Sequence, residues 1–215
     1  MSFCQMAWEA TAAVRRDIDE LPFLASLRDG SLPRESFVYY LAQDALYLVE
    51  FGRAMAMAGA QADGPEDLLF WVERARSAIL VERQLHATHT AGVDAVTMSP
   101  TCTAYTALLR SLGTGGCYPA LAAGVLPCFW IYEDVGRRLL QDVGDLAAHP
   151  YGDWIGTYGD PEFAAATAQA KAVVDRLAAR SGPDVVARMH AAFLTAARYE
   201  LLFWDAAWRR ETWLG

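Results

Sequence analysis

This sequence predicts an all-α fold, on three observations. Apolar residues recur at helical spacing along most of the 215 residues. Pro33, Pro65, Pro100, Pro161 and Pro183 each head such a stretch, where a missing N–H has no intrahelical partner to lose. Strand-like alternation never runs beyond a few residues. No repeat, low-complexity tract or composition shift divides the chain, so residues 1–215 read as a single helical-bundle domain.

The elements follow in order. Segment 3–29 runs to the turn signal Gly30. Segment 33–62 carries Phe37, Tyr40, Leu41, Asp44, Tyr47, Leu48 and Phe51 on one i, i+3, i+4, i+7 stripe. Segment 65–91 starts after Gly64. Segment 100–112 opens on Ser99-Pro100, with Ser99 placed as an N-cap, and ends at Gly113. Segment 117–142 is the most apolar. Its Pro127 removes one helical hydrogen bond and can kink the helix against a cavity. A loop with one short helical turn covers 143–160. Asp160-Pro161 opens 161–181, and Gly182-Pro183 opens 183–211. That last segment repeats the apolar stripe with Met189, Phe193, Ala196, Ala197, Glu200, Phe203, Trp204 and Trp208.

Composition narrows the function. Hydrophobic residues make up 54%, too many for a disordered chain. A net charge of −8 argues against binding nucleic acid or anionic membrane. The longest uncharged apolar run, Cys117 to Tyr132, holds 16 residues and falls short of the ~20 that span a bilayer. Early charges at Glu9, Arg15, Arg16 and Asp17 leave no export signal, so a cytoplasmic location is expected. The four Cys form no CxxC or zinc spacing and read as reduced thiols.

Few residues carry candidate chemistry. Asp44 and Glu200 are lone carboxylates on apolar faces, where a charge is costly unless paired. Each either bonds a neighbour for structure or faces a polar ligand site. Cys128 shares a helical face with Tyr132 at i+4. A buried Cys is ordinarily a small inert hydrophobe. Glu82, His86 and His89 have the i, i+4, i+7 spacing of half a metal site, and Glu50, Asp44, His190 and Glu200 are conceivable partners. No second ExxH or ExxxH pair appears, so a solvated or structural role fits better. The glycines of Trp154-Ile155-Gly156-Thr157-Tyr158-Gly159 lack the spacing of a nucleotide-binding loop.

Taken together, these pieces resemble the TenA (thiaminase II) family. FVYYLAQDALYLVEFGR at 37–53, LPCFWIYEDVGRR at 126–138, WIGTYG at 154–159 and YELLFW at 199–204 match its signatures in order, with SPTCTAYT at 99–106 a weaker fifth. The resemblance implies a heme-oxygenase-like fold, a homotetramer, and no metal or organic cofactor. It implies a hydrolase of thiamin salvage. Such an enzyme converts 4-amino-5-aminomethyl-2-methylpyrimidine to the hydroxymethyl compound, and in many members it cleaves thiamin. By position, Cys128 resembles the family's nucleophile. Asp44 resembles the aspartate that grips the aminopyrimidine, and Glu200 the glutamate that trades protons. Tyr47, Tyr105, Tyr132 and Tyr158 resemble pocket tyrosines, and Phe203 an aromatic that packs on the ring. The chain departs from the family at Leu21, Ala45-Leu46, Arg198 and Cys102. Two other classes compete: a di-iron oxygenase built on Glu82 and His86, and a non-catalytic pyrimidine binder.

Overall fold

The computed structural model describes residues 1–89 and 96–214, with residues 81–89 described as backbone only. Ten helices occur among them: α1 (Phe3–Ala10), α2 (Ala12–Asp19), α3 (Pro22–Asp29), α4 (Arg34–Ala60), α5 (Pro65–His89), α6 (Pro100–Thr114), α7 (Tyr118–Asp142), α8 (Gly152–Tyr158), α9 (Pro161–Ala179) and α10 (Pro183–Arg209). Among the described residues there is no strand. No helix among them is long and apolar enough to cross a membrane.

The N-terminal stretch differs from the single helix expected over 3–29. It breaks twice, for local reasons. The Thr11 hydroxyl donates to the Ala7 and Trp8 carbonyls at 2.9 and 3.1 Å, and its backbone leaves the helix at φ −99°, ψ 9°. Pro22 forces the preceding Leu21 into extended backbone at ψ 133°, so α2 cannot run into α3. Two expected caps are present. Ser99 accepts from Cys102 N at 3.2 Å, and Asp160 from Glu162 N at 2.6 Å. Pro127 lies inside α7, which continues through it although the Ala123 carbonyl loses its usual donor.

Helix α7 is the central member. Ala122, Ala123, Val125 and Leu126 are wholly buried, and α10, α9, α8, α6 and α4 pack around the helix. Helices α4 and α5 pair antiparallel, Gly59 facing Leu68 and Trp71 while Gly52 faces Ala75 and Ile79. The C-terminal residues strap the start of α6. Glu211 accepts from Thr101 N at 2.8 Å, and the Trp213 indole donates to the Met98 carbonyl at 2.9 Å. Gln43 braces the same segment from α4, accepting from Ser99 N at 2.8 Å and donating to the Thr97 carbonyl at 3.0 Å.

One close approach seats α8. A Cβ on Gly136 would stand 2.5 Å from the Tyr158 carbonyl carbon, backbone that cannot swing away as a flexible side chain would. Gly136→Ala is therefore expected to lower unfolding stability by ~1–3 kcal/mol and to displace Tyr158. Urea denaturation measures the first effect, and ligand affinity the second.

Candidate active site

A cavity of about 260 Å³ opens between α4, α5, α7, α8 and α9. Asp44, Cys128, Tyr132 and Tyr158 line it. Leu48, Phe51, Phe129 and Phe163 make an apolar belt around it. Arg74, Ser77, Thr157, Asp160 and Glu162 add polar groups to the wall. A flat heteroaromatic ring suits an aromatic-walled slot with a few polar anchors.

The other four residues singled out from the sequence stand behind this wall. Glu200 is 1% exposed on α10 and accepts a hydrogen bond from Tyr105 of α6 at 2.5 Å. Tyr105 lies between Tyr47 and Tyr199, with ring centroids 4.8 and 5.2 Å away. Phe203 packs on Tyr47 at 5.6 Å. The Tyr47 hydroxyl is buried and makes no full hydrogen bond. All eight residues thus form one cluster, four on the cavity and four in the layer beneath it. Asp44, set within that wall, is 3% exposed.

Electrostatics follow from this burial. Burial pushes the Cys128 thiol well above its ordinary range. Negative Glu200 adds to this, and the Tyr47 hydroxyl works against it. The residue is half-buried and lines the cavity. Cys102 is also pushed up by burial, to about 12. What separates the two thiols is access, since Cys102 is wholly buried and does not reach the cavity. Burial pushes Glu200 up to about 8, partly offset by the Tyr105 hydrogen bond.

Two of the conceivable metal partners have other contacts. Glu50 is held by Arg110 at 2.7 Å and by Arg53, and these bonds, Arg110's above all, keep its carboxyl below the ordinary range. His190 lies tilted against Phe3, with ring centroids 4.4 Å apart. Among the described residues no group of three or more His, Cys, Asp or Glu is arranged to hold a metal ion. The side chains of Glu82, His86 and His89 lie outside the described residues.

Sequence reasoning passed over Tyr40 as a site residue. It is wholly buried one turn before Asp44 and bonds to both Tyr132 and Trp154. Its place on the Asp44 stripe was the available signal. Phe163 and Glu162, at the start of α9, carried none.

The raised Glu200 pKa makes stability depend on pH. A carboxyl near 8 when folded and about 4.5 when unfolded stabilises the fold below pH 4.5, and that stability is lost as pH rises to about 8. Each unit is worth about 1.4 kcal/mol at most. Glu200→Gln is expected to flatten this slope, read by urea denaturation from pH 5 to 9.

A sequence profile of the TENA/THI-4/PQQC family matches residues 16–210. The chain is 36% identical over 214 residues to the thiamine biosynthesis multifunctional protein ThiED of Corynebacterium efficiens. That alignment covers 97% of this chain and 28% of ThiED, so the chain spans little over a quarter of that relative. It is 32% identical to the aminopyrimidine aminohydrolase of Bacillus subtilis, covering 89% of this chain and 84% of that one. Among solved structures, a TenA homologue from P. horikoshii OT3 superposes with a TM-score of 0.85 at 25% identity, covering 97% of this chain and 99% of the other. A domain with a heme oxygenase-like fold from Shewanella denitrificans superposes at 0.76 with 14% identity, covering 98% and 93%, a likeness of fold alone. The chain belongs to the TENA/THI-4/PQQC family and has the heme-oxygenase-like helical fold.

Proposed function

We propose that this protein is an aminopyrimidine hydrolase of thiamin metabolism. It acts on 4-amino-5-aminomethyl-2-methylpyrimidine and releases ammonia, and it takes thiamin itself as a second substrate. The observation that carries the reading is the meeting of Asp44 and Cys128 on one aromatic-walled cavity, with Glu200 and Tyr105 directly behind. The relative named aminopyrimidine aminohydrolase supports it.

In this reading Asp44 grips the ring nitrogen and amino group of the pyrimidine. Tyr132 and Tyr158 hold the ring from the cavity wall, while Tyr47, Tyr105 and Phe203 stiffen the layer beneath. Near neutral pH the Cys128–Glu200 pair holds both its protons, since burial raises the two groups together. A bound substrate amine changes that balance. It takes the Glu200 proton and becomes an ammonium, and its positive charge beside Cys128 lowers the cost of a thiolate. The Cys128 thiol passes its proton to the Glu200 carboxylate. The thiolate adds to the ring, forming an S–C bond, and the ring electrons break the C–N bond, so the nitrogen leaves the methylene carbon as neutral ammonia. Water then bonds to the methylene carbon, the S–C bond breaks, and the proton that water gives up goes to the departing sulfur, which restores the ring, the thiol and protonated Glu200. Side chains alone supply these steps, with no metal or organic cofactor. The reading carries with it a cytoplasmic location, in keeping with four free cysteines. It also carries a homotetramer, in keeping with exposed Leu68, Leu69, Val72 and Leu80 on α5.

Incubation with the aminomethylpyrimidine, with products followed by mass, tests the activity. A protein that binds the pyrimidine and releases no product is the non-catalytic binder instead. Cys128→Ala is expected to cut turnover by at least ~10³-fold while keeping the fold, and a variant with full activity refutes the nucleophile. The rate is expected to fall as pH rises through about 8, because Glu200 then loses the proton that the leaving nitrogen needs. Glu200→Gln is expected to lose most activity and that pH limb together, measured as kcat/KM against pH.

A further inference from the structure

The Trp154 indole N–H donates to the Tyr40 hydroxyl at 3.3 Å, and the Tyr40 hydroxyl donates to that of Tyr132 at 3.2 Å. The three residues come from α8, α4 and α7. Trp154 and Tyr40 are wholly buried, and of the three only Tyr132 lines the cavity. Asp44, Glu200 and Tyr158 are the titratable groups acting on Tyr132 besides Tyr40, and Tyr158 also leans on the Tyr40 hydroxyl.

A row of hydroxyls by itself has no direction, because each O–H turns to suit its neighbours. An indole N–H donates and cannot accept. Trp154 fills one lone pair of the Tyr40 oxygen, and the Tyr40 proton lies toward the Tyr132 oxygen. Tyr132 then does not donate back to Tyr40, and its own proton is left for an acceptor on the side of the cavity, which it lines with Asp44 and Tyr158. Packing does not account for this. The Tyr40 ring meets Trp154 edge-on at 6.0 Å, a contact that Phe would make equally well. The hydroxyl at position 40 serves the row.

We infer that Trp154 and Tyr40 are positioning residues that hold Tyr132 as a hydrogen-bond donor to an acceptor atom of the bound ligand. The ligand's identity rests on the proposed function. An aminopyrimidine presents ring nitrogens as in-plane acceptors, which a fixed donor recognises and a freely turning hydroxyl recognises less well.

A double-mutant cycle tests this with Tyr40→Phe, Tyr132→Phe and the double variant. The readouts are kcat/KM for the aminomethylpyrimidine and calorimetric affinity for the hydroxymethylpyrimidine. Each single change is expected to cost about 10-fold. The double is expected to be no worse than Tyr132→Phe alone, because Tyr40 acts through Tyr132. Losses that multiply to about 100-fold overturn the inference. Trp154→Phe keeps a ring, removes the donor, and is expected to give a partial loss of the same kind. A second readout needs no activity. In protein carrying ¹³Cζ-labelled tyrosine, the Tyr132 signal is expected to move in both Tyr40→Phe and Trp154→Phe, and an unmoved signal overturns the inference. Wild-type protein that neither binds nor turns over the pyrimidine refutes the proposed function instead, and the tyrosine spectra still decide the row.

Discussion

A carboxyl group buried among aromatic rings has two ways to stay there: keep its proton or keep a partner. Glu200 does both. It is 1% exposed and pushed up to about 8 by burial, and it accepts from Tyr105. That bond joins α10 to α6 across the interior, so the start of α6 must be held. Ser99 caps it, Glu211 bonds Thr101, and Gln43 ties the incoming segment to α4 next to Asp44. The constraint on one carboxyl therefore reaches α4, α6, α10 and the C-terminal strap. These elements also seat Asp44, Tyr47 and Tyr105.

The surroundings of Cys128 obey the same physics. Low-dielectric surroundings disfavour the thiolate and the ionised carboxylate alike, so neither charge is free in the resting site. That suits a substrate that becomes cationic in the site. Apolar walls then strengthen its attraction to whichever group ionises. An exposed thiol and carboxylate would gain little from it, because water would screen them. The aromatic shell of Phe51, Phe129, Phe163 and Tyr158 is in this sense part of the electrostatics.

Most of the fold was legible because its signals are local. Proline, Ser99 and Asp160 act within one turn of where they stand, and they placed the helix starts. The breaks at Thr11 and Leu21 were less legible. Thr is tolerated within helices, and only the position of its hydroxyl over the Ala7 and Trp8 carbonyls shows the chain leaving. Asp44 and Glu200 stood out because a charge on an apolar stripe demands an explanation. Tyr40 did not, because an aromatic on such a stripe is ordinarily core, and Trp154 did not, because it stood in a stretch read as a loop. Their partners lie 92 and 114 residues apart in sequence, beyond any periodicity.

The departures from the family's signatures bear on how freely the site varies. Arg198 is exposed on the outer side of α10, while Ala45 and Leu46 are half-buried on α4. None of the three lines the cavity. Leu21 precedes α3, where its extended backbone is set by Pro22. Cys102 is wholly buried with its sulfur 3.7 Å from the Gln43 carbonyl, filling space behind Asp44. The substitutions therefore fall where the bundle needs volume or a solvated face. Asp44, Cys128 and Tyr132, which line the cavity, lie in stretches that match the family's signatures.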